Sequence, residues 1–471
     1  MLFAYRRSIV SLVRLVYLVG LVILFYLGWK AGYEETLFFN FGNYVVMFSY
    51  SLMLLLFMNV YGGLRVGSSR VTNLLLSSLF ALAFSNLFIY FELSLIARDM
   101  LSVVPLLAIF GGQVLWALAG CTLMNAVYYA LNDVRQVVAI YTGDQDDAKV
   151  IEKMSQFTRR FTVVEAVDAR QPLDALIARI APYDSVLLGR MDPHTRKAIF
   201  QYCYRSGKRI NILPDSMEIA LSVATKTQLF DTPILLCKNR ELTPEQRLVK
   251  RIADIVISLL GIVALGPLML LISLAIKLQD GGPVFYRQAR LTLGGKPFSI
   301  IKFRSMRVDA DRGLAENELR AVSRDPRITW VGALLRPYRL DELPQLFNVL
   351  AGDMSIVGPR PERVEHYDLY TRDLPEFELR LRVKAGMTGF AQIYGRYNTT
   401  PRDKLNMDLF YTEDFSILQD IRLMFMTLKI LFVRESAEGF DDETEQAALD
   451  AVRPSDDSAV QGEAAEDAKV G

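Results

Sequence analysis

Two neighbouring carboxylates, Asp341 and Glu342, open the stretch Arg336-Pro-Tyr-Arg-Leu-Asp-Glu-Leu-Pro-Gln-Leu-Phe-Asn-Val-Leu. An acidic pair close to several bases suits phosphorus chemistry: one carboxylate attacks phosphorus and the other holds a metal or moves a proton. The same pair also suits the start of a helix, because Leu343, Leu346, Phe347 and Leu350 repeat at helical spacing. Asp341 is then a side-chain cap, and Glu342 a first-turn acid favoured by the helix dipole. Bases for the first reading lie nearby in sequence. Between Tyr286 and Arg307 there are six bases and no acid, among them Lys302 and Arg304. Pro359 and Pro361 stiffen the turn that carries Arg360, and a fixed guanidinium makes a phosphate fork. A further glycine-rich turn ends at Arg396.

Other chemistries are excluded by what is scarce. The 471 residues hold two histidines, His194 and His366, too few for a His-rich zinc site. There is no G-x-S-x-G nucleophile elbow. Cys121, Cys203 and Cys237 form neither a C-x-x-C nor a disulfide framework. With 53 Lys+Arg against 52 Asp+Glu, the chain lacks the basic excess of a nucleic-acid binder.

The elements that must position these residues begin with a membrane portion. Apolar runs at 9–29, 44–64, 71–91 and 103–130 each reach the ~20 residues that span a bilayer. Basic residues gather on alternate sides (Arg6, Arg7, Arg14; Arg65, Arg70; Arg135), which predicts both ends of this bundle in the cytoplasm. Asn59, Asn86 and Gln113 are its notable polar residues, suited to bonds between helices rather than to a transport path.

From Arg135 the pattern alternates between strands (137–141, 161–167, 185–188, 209–213) and helices (148–156, 172–180, 193–206), a Rossmann-like α/β module. The first strand runs into Thr142-Gly-Asp-Gln-Asp-Asp, with one glycine and three acids where a pyrophosphate would need open backbone N–H groups. This module reads as structural, dimerising or regulatory.

Residues 252–276 form a fifth apolar run, interrupted by Gly266-Pro267. Proline breaks or kinks a helix, leaving halves of about 18 Å that cannot cross. Bases flank both ends (Arg247, Lys250, Arg251; Lys277, Arg287, Arg290), so a re-entrant helix is expected near 251–278, dipping into one leaflet; the alternative is a fifth, kinked span that puts everything after it outside the cell. A β-hairpin turning at Gly294-Gly295 follows, with Lys302 and Arg304 on one face of its second strand. The run 417–433, with Arg422 and Lys429, fits an interfacial position or the core equally well. From Glu435 to the last residue there are twelve acids and two bases, the signature of a disordered tail.

Taken together, KRIADIV, DGGPVFYRQAR, FSIIKFRSM, LDELPQLFNVLAGDMSIVGPRP and GMTGFAQIYGR, in that order, resemble the catalytic domain of the bacterial sugar transferases, the polyprenyl-phosphate hexose-1-phosphate transferases. The four spans and the α/β module resemble that family's long form. The resemblance implies a multi-domain membrane protein: a four-helix transmembrane bundle at 1–132, a Rossmann-like α/β domain at 133–240, an α+β catalytic domain with a re-entrant helix at 241–435, and a tail at 436–471. It implies transfer of hexose-1-phosphate from a UDP-sugar, glucose or galactose, to undecaprenyl phosphate, with release of UMP. This would be the first membrane step of exopolysaccharide, capsule or O-antigen synthesis, on the cytoplasmic face of the bacterial inner membrane. Asp341 would be the nucleophile that carries a phosphosugar intermediate, and Glu342 would aid metal binding or acceptor deprotonation. Mg²⁺ would sit on both carboxylates. Lys302, Arg304, Arg360 and Arg396 would neutralise phosphate. The α/β module makes a homodimer plausible. Two rival readings are a lipid pyrophosphate phosphohydrolase and a membrane scaffold that recruits assembly proteins.

Overall fold

The computed structural model describes residues 5–33, 41–67, 69–155, 160–237, 242–308, 327–395 and 399–432. The acidic tail lies outside them. The described chain forms two compact units, one centred on residues 125–215 and one that joins residues 11–124 to the chain from Ser216 onward.

Four apolar helices come first: Arg6–Gly32, Gly42–Tyr61, Val71–Ala97 and Val104–Leu131, each long and apolar enough to cross a membrane. Aromatic side chains fill the space between them, with Tyr17, Phe25, Trp29, Tyr50 and Phe57 almost wholly buried. Leu12, Leu15, Phe48, Leu55, Leu107 and Leu115 face outward, an apolar surface that lipid would cover. Two of the polar residues join helices, as expected. Asn86 Nδ2 donates to Gln113 Oε1 at 2.8 Å, and Gln113 Nε2 donates to the Tyr50 hydroxyl at 2.7 Å.

The α/β unit has a parallel sheet in the order β2-β1-β3-β4, from β1 (Arg135–Tyr141), β2 (Phe161–Asp168), β3 (Ser185–Leu188) and β4 (Arg209–Ile212). Helices Gln145–Ser155, Leu173–Ile180 and Pro193–Arg205 connect the strands. All four strands and three helices fall where the alternation places them. Asp147, fully buried, accepts from Arg190 N at 2.7 Å and from Arg190 Nη1 at 2.8 Å. Its carboxylate thus takes up donors between the ends of β1 and β3, where such sheets receive a phosphate.

After a short helix, Ser216–Ser222, comes an antiparallel hairpin of β5 (Thr225–Leu229) and β6 (Thr232–Leu236). The chain then enters one helix of 37 residues, Pro244–Asp280. Thr243 caps it with a reciprocal Gln246 contact, and Gly281, in the left-handed region, ends it. The expected break at Gly266-Pro267 is absent: the helix runs on through both residues. Proline removes a single N–H donor, and the leucines, alanines and methionines on either side are strong helix formers.

Both halves of this helix pack on the chain that follows it. In the first, Lys250 Nζ meets Asp420 at 2.5 Å and the Tyr411 hydroxyl at 3.0 Å. Arg251 donates to the carbonyls of Val349 and Leu350 at 2.7 and 2.8 Å. Asp254 accepts from Ser355 Oγ and Ile356 N at 3.0 and 2.9 Å. In the second half, Met269, Ile272 and Ile276 pack against Phe303, Val331 and Leu335. Leu260, Val263, Leu270, Leu271, Leu274 and Leu278 are left exposed.

A second hairpin follows, β7 (Phe285–Leu291) with β8 (Pro297–Phe303). Gly294 and Gly295 both turn at positive φ, as the sequence predicts. Helices Trp330–Leu335 and Gln345–Ala351 and a parallel pair, β9 (Ser355–Val357) with β10 (Gly386–Thr388), complete the site region. Its core joins Ile300, Leu346, Val349, Ile356, Tyr411 and Leu423. Helix Ile417–Ile430 packs in the core, the second alternative raised for that run. Leu423 and Met426 enter the core, while Phe425 lies edge-on to Phe57 and Phe84 of the membrane helices.

Candidate active site

The acidic pair does not cap a helix. Residues Arg336–Tyr338 form one 3₁₀ turn, and Arg339 then adopts φ +53°, a left-handed conformation unusual for a side-chain-bearing residue. This reversal starts a second 3₁₀ turn, Leu340–Glu342, and the next helix begins only at Gln345, with no side-chain cap. Neither carboxylate therefore caps the next helix. Leu340 and Leu343 pin the turn from either side by packing on the apolar cluster around Ile272 and Phe303.

Glu342 receives two cations on one oxygen. Lys302 Nζ lies 2.7 Å from Oε1 and Arg360 Nη2 lies 3.1 Å from the same atom. Lys302 projects from β8, and Asn348 holds that strand in place. Asn348 Oδ1 accepts from Ile301 N at 2.9 Å, and its Nδ2 donates to the Ser299 carbonyl at 2.8 Å. One side chain on helix Gln345–Ala351 thus fixes the spacing between the acidic turn and the lysine strand.

Arg360 is presented by the proline-flanked turn after β9. Gly358 N donates to the Thr388 carbonyl, and Gly386 N to the Pro359 carbonyl, each at 2.8 Å. The two backbones approach so closely that a Cβ on Gly386 would stand 2.1 Å from Gly358 N. From behind, Arg380 Nη2 donates to the Arg360 carbonyl at 2.7 Å, and Arg290 Nη1 donates to the Pro361 carbonyl at 3.2 Å. Arg380 is fully buried. It pairs with Asp408 at 2.7 Å, and Glu362 lies 3.6 Å away. The Arg360 side chain stays 47% exposed, so its outer edge can meet a ligand.

The charges divide the two acids. Burial pushes Asp341 up, and the neighbouring Glu342 charge adds to this, against the pull of Lys302 and Arg336. Burial acts on Glu342 too, but Lys302 and Arg360 together hold it well below the usual carboxylate range. Glu342 is the settled anion and Asp341 the poised one. Among the described residues Asp341 forms no ion pair. Arg290, Lys302, Glu342, Gln345 and Arg360 line one pocket, so three cations and one acid face the same space.

Arg304 does not join this group. It follows β8 directly, yet it is buried and pairs with Asp280 at the end of the long helix. The shared face predicted from strand alternation is lost because β8 ends at Phe303. Arg396 falls outside the described residues. Arg290, which the sequence marks only as a base flanking the fifth apolar run, joins Arg339, Asn348 and Arg380 in building the site. Of the others only Asn348, a polar residue in an apolar helical repeat, leaves a trace in the sequence.

The model of the family described as bacterial sugar transferase matches residues 245–434. The UDP-glucose:undecaprenyl-phosphate glucose-1-phosphate transferase of Escherichia coli K12 is 38% identical over 232 residues, 48% of this chain and 49% of that protein. The Caulobacter vibrioides protein of the same name is 40% identical over 193 residues, 40% of this chain and 71% of its own length. The exopolysaccharide production protein ExoY of Sinorhizobium fredii is 39% identical over 191 residues, 38% of this chain and 83% of that protein. The chain spans 49% of the length of the E. coli and Xanthomonas campestris proteins it matches. The matched stretch holds the acidic turn, the lysine strand and the proline-flanked arginine, and the chain belongs to the bacterial sugar transferase family.

Proposed function

We propose that this chain transfers hexose-1-phosphate from a UDP-sugar to undecaprenyl phosphate, with glucose or galactose as the sugar. The observation that carries the reading is the division of labour at the acidic turn. Glu342, neutralised by Lys302 and Arg360, lines one pocket with those two cations and Arg290, and Asp341, which forms no ion pair among the described residues, is its neighbour in the chain. An Asp341 oxygen attacks the sugar-bearing phosphorus. The bond from that phosphorus to the bridging oxygen breaks, and UMP leaves with the electron pair. A phosphate oxygen of the lipid acceptor then attacks the same phosphorus and displaces Asp341, which returns as a carboxylate. Lys302, Arg360 and Arg290 face phosphate oxygens in both steps and stabilise the charge that builds there. Arg304 we assign to holding the end of the long helix through Asp280.

Mg²⁺ fits as the cofactor. Among the described residues no third His, Cys, Asp or Glu completes a protein cage, and Mg²⁺ commonly takes one or two carboxylates and completes its shell with substrate phosphates and water. Asp341 and Glu342 would hold it, and it would supply charge neutralisation on the pyrophosphate.

The setting we propose is the cytoplasmic face of the bacterial inner membrane. Both ends of the long helix lie on the same side of the membrane, a reading supported by the ties of Lys250 to Asp420 and of Asp280 to Arg304 within one region. The α/β unit acts as a structural module, and the protein works as a homodimer.

The test is Asp341→Asn in full-length protein with UDP-glucose, undecaprenyl phosphate and Mg²⁺. UMP release should vanish, and wild type should accumulate a phosphosugar adduct on Asp341 when acceptor is withheld. Turnover retained in the variant would remove Asp341 as nucleophile. Transfer to water in place of the lipid phosphate would make the protein a hydrolase.

A further inference from the structure

Gln345 lines the same pocket as Arg290, Lys302, Glu342 and Arg360, and it is only 3% exposed. The charged side chains around it are all committed. Lys302 and Arg360 share Glu342 Oε1. Arg290 spends its Nη1 on the Pro361 carbonyl and its Nη2 on Gln288 Oε1. Among the described residues the Gln345 amide has no hydrogen-bond partner. Buried polar groups are nearly always paired, so an unpaired amide beside charged groups calls for a reason. Neither amide atom is sealed from solvent, so the amide opens on the pocket. Asn348, on the same helix, gives the contrast: its Oδ1 and Nδ2 are both spent on β8.

The backbone sets Gln345 one turn from the acidic pair. A 3₁₀ turn covers Leu340–Glu342, and Leu343 (φ −53°, ψ −38°) and Pro344 (φ −62°, ψ −14°) carry the coil into the helix that Gln345 opens. Residues three and four apart on such a coil are neighbours, and here they are Glu342 and Asp341. A phosphoryl group carried by Asp341 thus comes within reach of a glutamine side chain.

We propose that Gln345 is a catalytic residue whose Nε2–H donates to a non-bridging oxygen of the transferred phosphoryl group. The pocket's cations are already shared with Glu342 or with backbone and amide oxygens. The amide adds a donor without adding charge, aimed where charge builds during transfer. Gln345 gains and loses no proton, and the bonds that form and break at phosphorus are those given above.

This role rests on Asp341 as nucleophile, and the test separates the two. Full-length protein is mixed with UDP-glucose and Mg²⁺ without acceptor, and the first turnover of UMP is followed in wild type and in Gln345→Met. Methionine is close to glutamine in shape and cannot donate. At saturating UDP-glucose the rate should fall about 100-fold, as when one oxyanion donor is removed, with half-saturation unchanged. Gln345→Glu, which offers a charge where a donor is needed, should be at least as slow. Both variants should unfold at the wild-type temperature. A wild-type rate at saturation in Gln345→Met overturns the role, and with raised half-saturation it moves the amide to ground-state binding. Rate loss with a lowered unfolding temperature in both variants makes Gln345 a packing residue and overturns the role too. In either case a phosphosugar adduct on Asp341 in wild type leaves the nucleophile standing, while its absence overturns both.

Discussion

Asp341 and Glu342 are adjacent in the chain and opposed in their titration. As the proposed nucleophile Asp341 must be ionised, and burial with the Glu342 charge raises its pKa from the ordinary aspartate value. Activity is therefore lost as pH falls through that raised value, and kcat/KM should show an acid limb higher than an ordinary aspartate gives. Lys302 pulls Asp341 down, so Lys302→Met should move the limb to higher pH. Glu342→Gln removes a charge that raises Asp341 and frees Lys302 to act on it, so the limb should move to lower pH. Both variants lose rate, and it is the opposite directions of the pH profiles that identify the coupling. Arg380 belongs to the same scale as a positioning residue, because it reaches Arg360 through that residue's carbonyl. Arg380→Lys keeps a cation but loses the planar fork. Its kcat should fall about 10- to 100-fold, the equivalent of one charge-assisted hydrogen bond of roughly 1.5–3 kcal/mol, with little change in KM for the UDP-sugar.

At the scale of elements, local pattern was a sound guide wherever a local period decides the structure. The α/β strands alternate with helices as their apolar residues do, and Gly294-Gly295 turns its hairpin because both glycines accept positive φ. The readings that missed needed distant partners. Proline at 267 signals a break only if the flanks are unsupported, and here Asp254 and Met269, on either side, are tied to the catalytic core. Arg304 looked like a companion of Lys302 until Asp280, 24 positions away, claimed it. The β5–β6 hairpin left no signal, since Phe230-Asp231 lacks the Asn-Gly chemistry of a tight turn. Arg380 was invisible because its meaning comes from Asp408 and Arg360. The long helix supplies the prediction here. Asp254 accepts from both Ser355 Oγ and Ile356 N, so Asp254→Ala leaves two buried donors unpaired. It should destabilise by about 1–3 kcal/mol per orphaned group, read as a lower thermal unfolding temperature in detergent. Asp254→Asn, which keeps one acceptor, should lose less.

For the whole molecule the deciding question is where the long helix lies in the bilayer. Its 37 residues are long and apolar enough to span, at about 55 Å for 1.5 Å per residue. A spanning helix would place its ends in different compartments, across roughly 30 Å of hydrocarbon. Yet the catalytic region holds Lys250 through Asp420 and Asp280 through Arg304. That region carries buried ion pairs and an acidic site, which cannot be divided between two sides of a membrane without stranding charge in lipid. The same region reaches the membrane helices through Phe425 and through Lys429, whose Nζ lies 2.7 Å from Ser77 Oγ. These contacts hold it beside the membrane helices, where the proposed lipid phosphate acceptor would be presented. Single cysteines at Glu245 and Pro283, in a chain carrying Cys237→Ser to remove the exposed thiol, test this in oriented vesicles. Both positions should react with a membrane-impermeant maleimide from the same side, and from the side that admits UDP-sugar. Labelling from opposite sides would make the helix a fifth span and separate the acidic turn from the elements that arm it.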